Sequence, residues 1–162
     1  MSYVEPYFSD WDGDGVAELI MHGGVIGSVG AGPQRERTEV YKWDGAAYFL
    51  AETVYDYSGY LYFKVLDANQ ALMNGDYETA AMLYREAVDN RSLDVWMEES
   101  EREELAAFSL YRLALTRLIA GEVGLAEDAY RELRAAQADS IYAQVVAVLW
   151  EAYQAETDLR AA

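Results

Sequence analysis

Four acids fall close together in Asp10-Trp11-Asp12-Gly13-Asp14-Gly15-Val16-Ala17-Glu18, at relative positions 1, 3, 5 and 9, with glycine at position 6. A hard cation such as Ca²⁺ takes six to eight oxygen ligands, so several carboxylates must converge from one tight turn. Alternate residues of a curled loop point inward, which directs Asp10, Asp12 and Asp14 to a common centre. Gly15 permits the sharp turn, the Val16 carbonyl offers a backbone oxygen, and Glu18 closes the site. Without a cation, four converging carboxylates repel one another. The competing interpretation is a solvated Asp/Gly turn that binds nothing.

Other chemistry is sparse. His22 is the single histidine and there is no cysteine, so a zinc centre or a catalytic triad is hard to assemble and a structural role is expected. Gly24, Gly27, Gly30 and Gly32 hint at a phosphate cradle, but they match neither Gly-x-Gly-x-x-Gly nor the P-loop. Ser28 follows Gly27, yet Ile26 stands where a nucleophile elbow needs glycine. The acidic run Glu98–Glu104 suits the positive end of a helix dipole. Tyr55, Tyr57, Tyr60, Tyr62 and Phe63 form a strip that could stack on a sugar or peptide, or join two parts of the fold. With no complete catalytic constellation, the expectation is a protein that is not an enzyme.

The chain has 162 residues, 52% of them hydrophobic, and a formal charge of −17. Such apolar content argues for a folded core despite the charge. The charge itself repels phosphate backbones and anionic membranes and favours cations or basic partners. No apolar run reaches the ~18–20 residues of a membrane span. No secretory signal precedes Tyr3. The absence of cysteine excludes disulfides and thiolate metal sites but leaves the compartment open.

The elements that must position the acids divide into two kinds. Nine of the twelve glycines and both prolines precede Tyr60. Short apolar bursts there predict four strands, near 3–8, 17–22, 38–43 and 47–53, the last two joined across Asp44-Gly45 by a tight type I′ hairpin turn. Gly23–Arg37 is glycine-rich and reads as a long loop. Beyond Tyr60 the pattern is helical. Ala80, Leu83, Tyr84, Ala87 and Val88 form one apolar stripe, and Ala126, Ala129, Tyr130 and Leu133 a second. Ile141, Val145, Val148, Leu149 and Ala152 form a third. Helices are predicted near 60–74, 77–90, 98–120, 124–137 and 140–159, with Gly75 and Gly121 at helix C-termini and Asp76 as an N-cap. The predicted division is a β unit over 1–57 and a helical domain over 58–162.

Two family resemblances sit on these residues. An EF-hand shares the Asp-x-Asp-x-Asp-Gly opening but needs a bidentate acid at position 12, where this chain has Met21, at the end of the strand-like run Leu19-Ile20-Met21. The spacing instead resembles the short calcium loop of FG-GAP/VCBS-type β repeats, over about residues 3–52. That resemblance implies Ca²⁺ ligands at Asp10, Asp12, Asp14 and Glu18 and work outside the cytosol. Gly75, Tyr77, Ala80, Tyr84 and Ala87, with Ala68 before them, resemble a tetratricopeptide repeat. Gly121, Ala126 and Tyr130, with Ala114, repeat the pattern less closely and at longer than the usual ~34-residue spacing; the extra segment is Arg91–Arg102. This second resemblance implies protein or peptide binding in a groove. Asn69, Tyr111 and Leu115 fall at groove positions, and Trp150 and Tyr153 at an apolar face of the last helix.

The combined expectation is an α+β fold, a small antiparallel β unit of about four strands with a calcium loop, packed on a stack of about five helices. The expected role is a calcium-stabilised interaction or assembly module, extracytoplasmic and capable of self-association. The alternatives are a fragment of a larger propeller-type binding protein, or a carbohydrate-binding or hydrolytic protein using the glycine-rich loop and tyrosine strip.

Overall fold

A computed structural model describes residues 2–26, 30–96 and 98–161. Gly27 and Ser28, considered above for phosphate binding and nucleophilic chemistry, lie outside the described residues. The chain is α+β, and the described residues form an antiparallel sheet followed by five helices. It forms two compact units, Met1–Ser58 and Gly59–Ala162.

The sheet contains β1 (Ser2–Tyr3), β2 (Tyr7–Ser9), β3 (Glu18–Val25), β4 (Arg37–Trp43) and β5 (Tyr48–Tyr55). β1 and β2 pair in turn with the same neighbour, giving the order β1/β2–β3–β4–β5. The stretch predicted as one strand over 3–8 is therefore interrupted at Pro6, which has no N–H to give a ladder. Ile20 and Val40 pair across β3 and β4 and are both fully buried. The β4–β5 connection departs from the expected two-residue turn. Trp43 pairs with Tyr48, and no non-glycine residue among the described ones has positive φ, so Asp44 cannot fill the first position of a type I′ turn. Asp44 instead accepts from the N–H groups of Ala46 (2.8 Å) and Ala47 (2.9 Å), and this local bonding selects a four-residue loop.

The second unit contains α1 (Leu61–Met73), α2 (Tyr77–Asp89), α3 (Glu99–Ile119), α4 (Val123–Gln137) and α5 (Ile141–Ala161). α1 and α3 end in the same way. Beyond α1, Gly75 N–H donates to Leu72 O and Asp76 N–H to Ala71 O; beyond α3, Gly121 donates to Leu118 and Glu122 to Arg117. Both glycines have φ near +80° (79° and 80°), as this helix-ending bond pattern requires. Asp76 then accepts from Thr79 N–H at 3.1 Å and starts α2. Ala68, Ala80, Ala81, Ala107, Ala114 and Ala129 are buried where helices meet, and their small side chains allow close approach. Tyr84 fills the space between them. Its hydroxyl donates to Asn69 Oδ1 at 2.6 Å and accepts from Arg112 Nε at 3.2 Å, which ties α1, α2 and α3. Burial pushes this hydroxyl's pKa up, opposed by Arg112, so it stays a donor.

The extra segment before α3 is not a loose insertion. Leu61 N–H donates to Asp94 O and Asp94 N–H to Gly59 O. Leu93 is buried with Leu61, Val65 and Ala87 in a second small core.

α5 presents a different face from the one expected. Ala143, Val146 and Trp150 are buried, whereas Ile141, Val145 and Val148 are exposed, Val148 to 68%. Both faces of α5 are apolar, so periodicity alone cannot choose between them. Trp150, expected on an open face, packs between Tyr130 and Tyr153 at ring separations of 5.7 and 5.9 Å. Truncating Val146 to Ala should therefore destabilise the helical unit by ~2 kcal/mol, counting lost methyl burial and the cavity left behind. Val148→Ala should stay within ~0.5 kcal/mol of wild type. Urea unfolding followed by circular dichroism distinguishes the two; equal losses would contradict this orientation of α5.

Candidate metal centre

The acidic loop connects β2 to β3, and its last acid, Glu18, is the first residue of β3. Gly13 and Gly15 have φ of 78° and 88°, so the chain doubles back twice within the loop. Asp10 accepts from Gly13 N–H (2.8 Å) on one oxygen and from Gly15 N–H (3.1 Å) on the other. Asp12 accepts from Asp14 N–H at 3.2 Å, and Asp14 from Val16 N–H at 2.7 Å. Glu18, only 2% exposed, accepts from Trp11 N–H at 2.8 Å and closes the loop onto the strand. Trp11 is also held by its indole N–H, which donates to Glu52 on β5 at 3.0 Å.

This arrangement brings Asp10, Asp12 and Glu18 together, with one carboxylate oxygen from each within 4.8 Å of the others. Asp14 lies outside that group of three; its carboxylate is turned to the backbone of Val16. Val16 contributes its N–H to this turn, and its side chain is exposed. Met21, at the position where an EF-hand has its closing acid, pairs with Glu39 inside the sheet. Each carboxylate oxygen carries two acceptor sites, so the backbone bonds above leave capacity for a cation. The donor set is all oxygen, which suits a hard ion rather than a thiophilic one.

Sequence reasoning missed Lys42. Its ammonium contacts the Asp12 carboxylate. β3 and β4 pair in a register that sets Leu19 against Tyr41, and so brings Lys42 beside the start of β3. The hydrogen bond from Lys42 holds the Asp12 carboxyl below its ordinary pKa, helped by the Asp14 N–H and the lysine's charge and opposed by burial. The same bond raises Lys42, with the charges of Asp12, Glu18 and Asp14 adding to it. Lys42 thus supplies one positive charge to the acids. Its strand alternation was visible in the sequence; its distance along the chain from the loop hid the pairing.

The residues expected at an interaction surface occupy the helical unit. Val65 and Asn69 on α1 line an open groove with Tyr62, Leu105 and Phe108, closed at one side by Tyr142 of α5. Tyr111 stacks on Tyr142, centroids 6.0 Å apart and planes inclined by 20°. Leu115 is half-buried, and Tyr153 lies against Trp150. The Asn69 amide oxygen is occupied by the Tyr84 hydroxyl. Tyr57 of the tyrosine-rich strip is 80% exposed. No helix among the described residues is long and apolar enough to cross a membrane. Comparison with protein-family models, curated proteins and solved structures finds no match to this chain.

The Asp12–Lys42 pair predicts a pH dependence with two limbs. A depressed carboxyl adds stability above its unfolded value of 3.8 and loses it as pH falls through the lower folded value. A raised lysine adds stability below 10.5 and loses it as pH climbs through the higher folded value. In chelator, the β-unit melting temperature should fall at both extremes, and Lys42→Gln should reduce both limbs relative to wild type. Superimposable wild-type and Lys42→Gln profiles would show that the pair does not contribute.

Proposed function

We propose that the chain is a non-enzymatic interaction or assembly module whose β unit is stabilised by one bound Ca²⁺. The observation that carries this is the convergence of Asp10, Asp12 and buried Glu18 on one point, on a loop closed by five backbone N–H bonds. Asp14 and the Val16 carbonyl complete the proposed oxygen set, and calcium displaces the Lys42 ammonium from Asp12 as it binds. The ion stabilises the loop and performs no chemistry. The groove edged by Phe108 and Tyr142, together with the exposed Ile141–Val145–Val148 stripe, supports a protein or peptide as the partner. Resemblance to calcium-loop repeats supports a location outside the cytosol, where free calcium is high enough to fill such a loop.

Thermal unfolding with calcium and with chelator tests the ion. If calcium binds only the folded state, a concentration of 100 times its dissociation constant should add about 2.7 kcal/mol. Asp10→Asn should abolish this gain while magnesium gives little in either protein. An equal response of wild type and Asp10→Asn to calcium would refute the assignment.

A second reading is favoured by one exposed row on the sheet. Phe8 and Trp43 each pack against Tyr48 in tilted contacts, centroids 6.1 and 5.1 Å apart, and the three rings are 62%, 50% and 41% exposed in the order Phe8, Trp43, Tyr48. In that reading the β unit is one element of a larger propeller-type assembly and docks on further β structure through these rings. Trp43→Ser should then reduce association detected by sedimentation velocity; a concentration-independent monomer in both proteins would count against docking between copies.

A further inference from the structure

Three metal-binding side chains meet at a second place on the β unit, towards the other end of β3. His22 lies on β3, Glu36 immediately before β4, and Asp56 immediately after β5. The sheet register sets His22 opposite Thr38 and Thr38 opposite Val54. Asp56 N–H donates to the Glu36 carbonyl at 3.0 Å, which extends the β4–β5 pairing by one step and holds both acids on neighbouring backbones. Thr38 Oγ1 stands 3.1 Å from His22 Nδ1. The ring's other nitrogen therefore faces the acids, with Nε2 3.4 Å from Glu36 Oε2 and 3.7 Å from Asp56 Oδ2.

These separations have a chemical meaning. They exceed the ~2.7–3.2 Å of a good N–H···O bond. They are close to the edge of a tetrahedron whose centre lies ~2.0–2.1 Å from each ligand, an edge of about 3.3–3.4 Å. One ligand atom from each residue lies within 4.8 Å of the other two. The side chains are 33%, 56% and 45% exposed, so an ion can reach the point between them and retain water at an open position. Two carboxylates also leave a divalent cation's charge balanced, in a chain already at −17.

We propose that His22, Glu36 and Asp56 form a second cation site, for an imidazole-favouring divalent transition metal such as Zn²⁺. The ion takes Nε2 of His22, while Nδ1–H donates to Thr38 and fixes the tautomer, the usual arrangement behind a ligating histidine. The nitrogen ligand separates this site from the all-oxygen loop at Asp10–Glu18, which favours calcium. Bound metal fastens Glu36, at the entry to β4, to β3 and to the end of β5. Its ligands lie 14 and 34 positions beyond His22 in the chain, which is why a search for a second histidine or a cysteine passes over it.

Because His22 is the single histidine, its imidazole C–H resonances in a proton NMR spectrum belong to one residue. Zn²⁺ is titrated into the full chain with calcium in excess, so that the acidic loop is occupied. The expected result is a saturating one-to-one shift of the imidazole signals that magnesium does not reproduce. Affinity should fall at least ten-fold in Glu36→Gln and further in Glu36→Gln/Asp56→Asn, with unchanged amide dispersion showing that both fold. Asp12→Asn should bind zinc as wild type does, which keeps this result separate from that of the calcium loop. Unmoved imidazole signals at millimolar Zn²⁺ would overturn the site, and equal affinity in the double variant would overturn it too, leaving only adventitious zinc on a half-buried histidine.

Discussion

The β unit rests on balancing the negative charge gathered where β2 turns into β3. Glu18 is almost wholly buried at the start of the central strand, and it is satisfied by the Trp11 N–H that closes the loop. A buried carboxylate is tolerated only when it is bonded and its charge is offset. Backbone N–H groups provide the bonds, and Lys42 provides one positive charge from the neighbouring strand. Asp10, Asp12, Asp14 and Glu18 together still outnumber that lysine. The remaining imbalance is the charge that the proposed divalent cation would offset.

The helical unit is held by a different principle. Alanines at the helix contacts let backbones approach, and one buried tyrosine spans the space between three helices. Two matching glycine-terminated helix ends then set successive helices side by side. The same economy leaves surfaces open: α5 covers α3 and α4 with Ala143, Val146 and Trp150 and turns a second apolar stripe outward.

Much of this was legible in the sequence. Helix limits followed from apolar periodicity punctuated by Gly75, Asp76 and Gly121, because those residues act locally. The strands followed from alternation, and the meeting of Asp10, Asp12 and Glu18 from the spacing of the loop's acids. What escaped depends on tertiary placement. Asp44 changed the hairpin by bonding two N–H groups of its own loop. α5 carries apolar residues on both sides, so only its neighbours decide which side is buried. Lys42 meets Asp12, and His22 meets Glu36 and Asp56, through strand register, which no local pattern reveals. Asp14 has the right type and spacing, and its carboxylate takes the Val16 N–H outside the group formed by Asp10, Asp12 and Glu18.

Calorimetric calcium titration of chelator-stripped wild type and Lys42→Met, with magnesium as control, tests most directly whether the loop acids form a cation site that Lys42 only partly fills. One calcium per chain is expected in both proteins, with weak magnesium binding. Affinity should be at least as high in Lys42→Met, where no ammonium competes for Asp12. Absence of calcium binding in both proteins up to millimolar concentration would contradict it and leave Asp10–Glu18 as a turn neutralised by lysine alone.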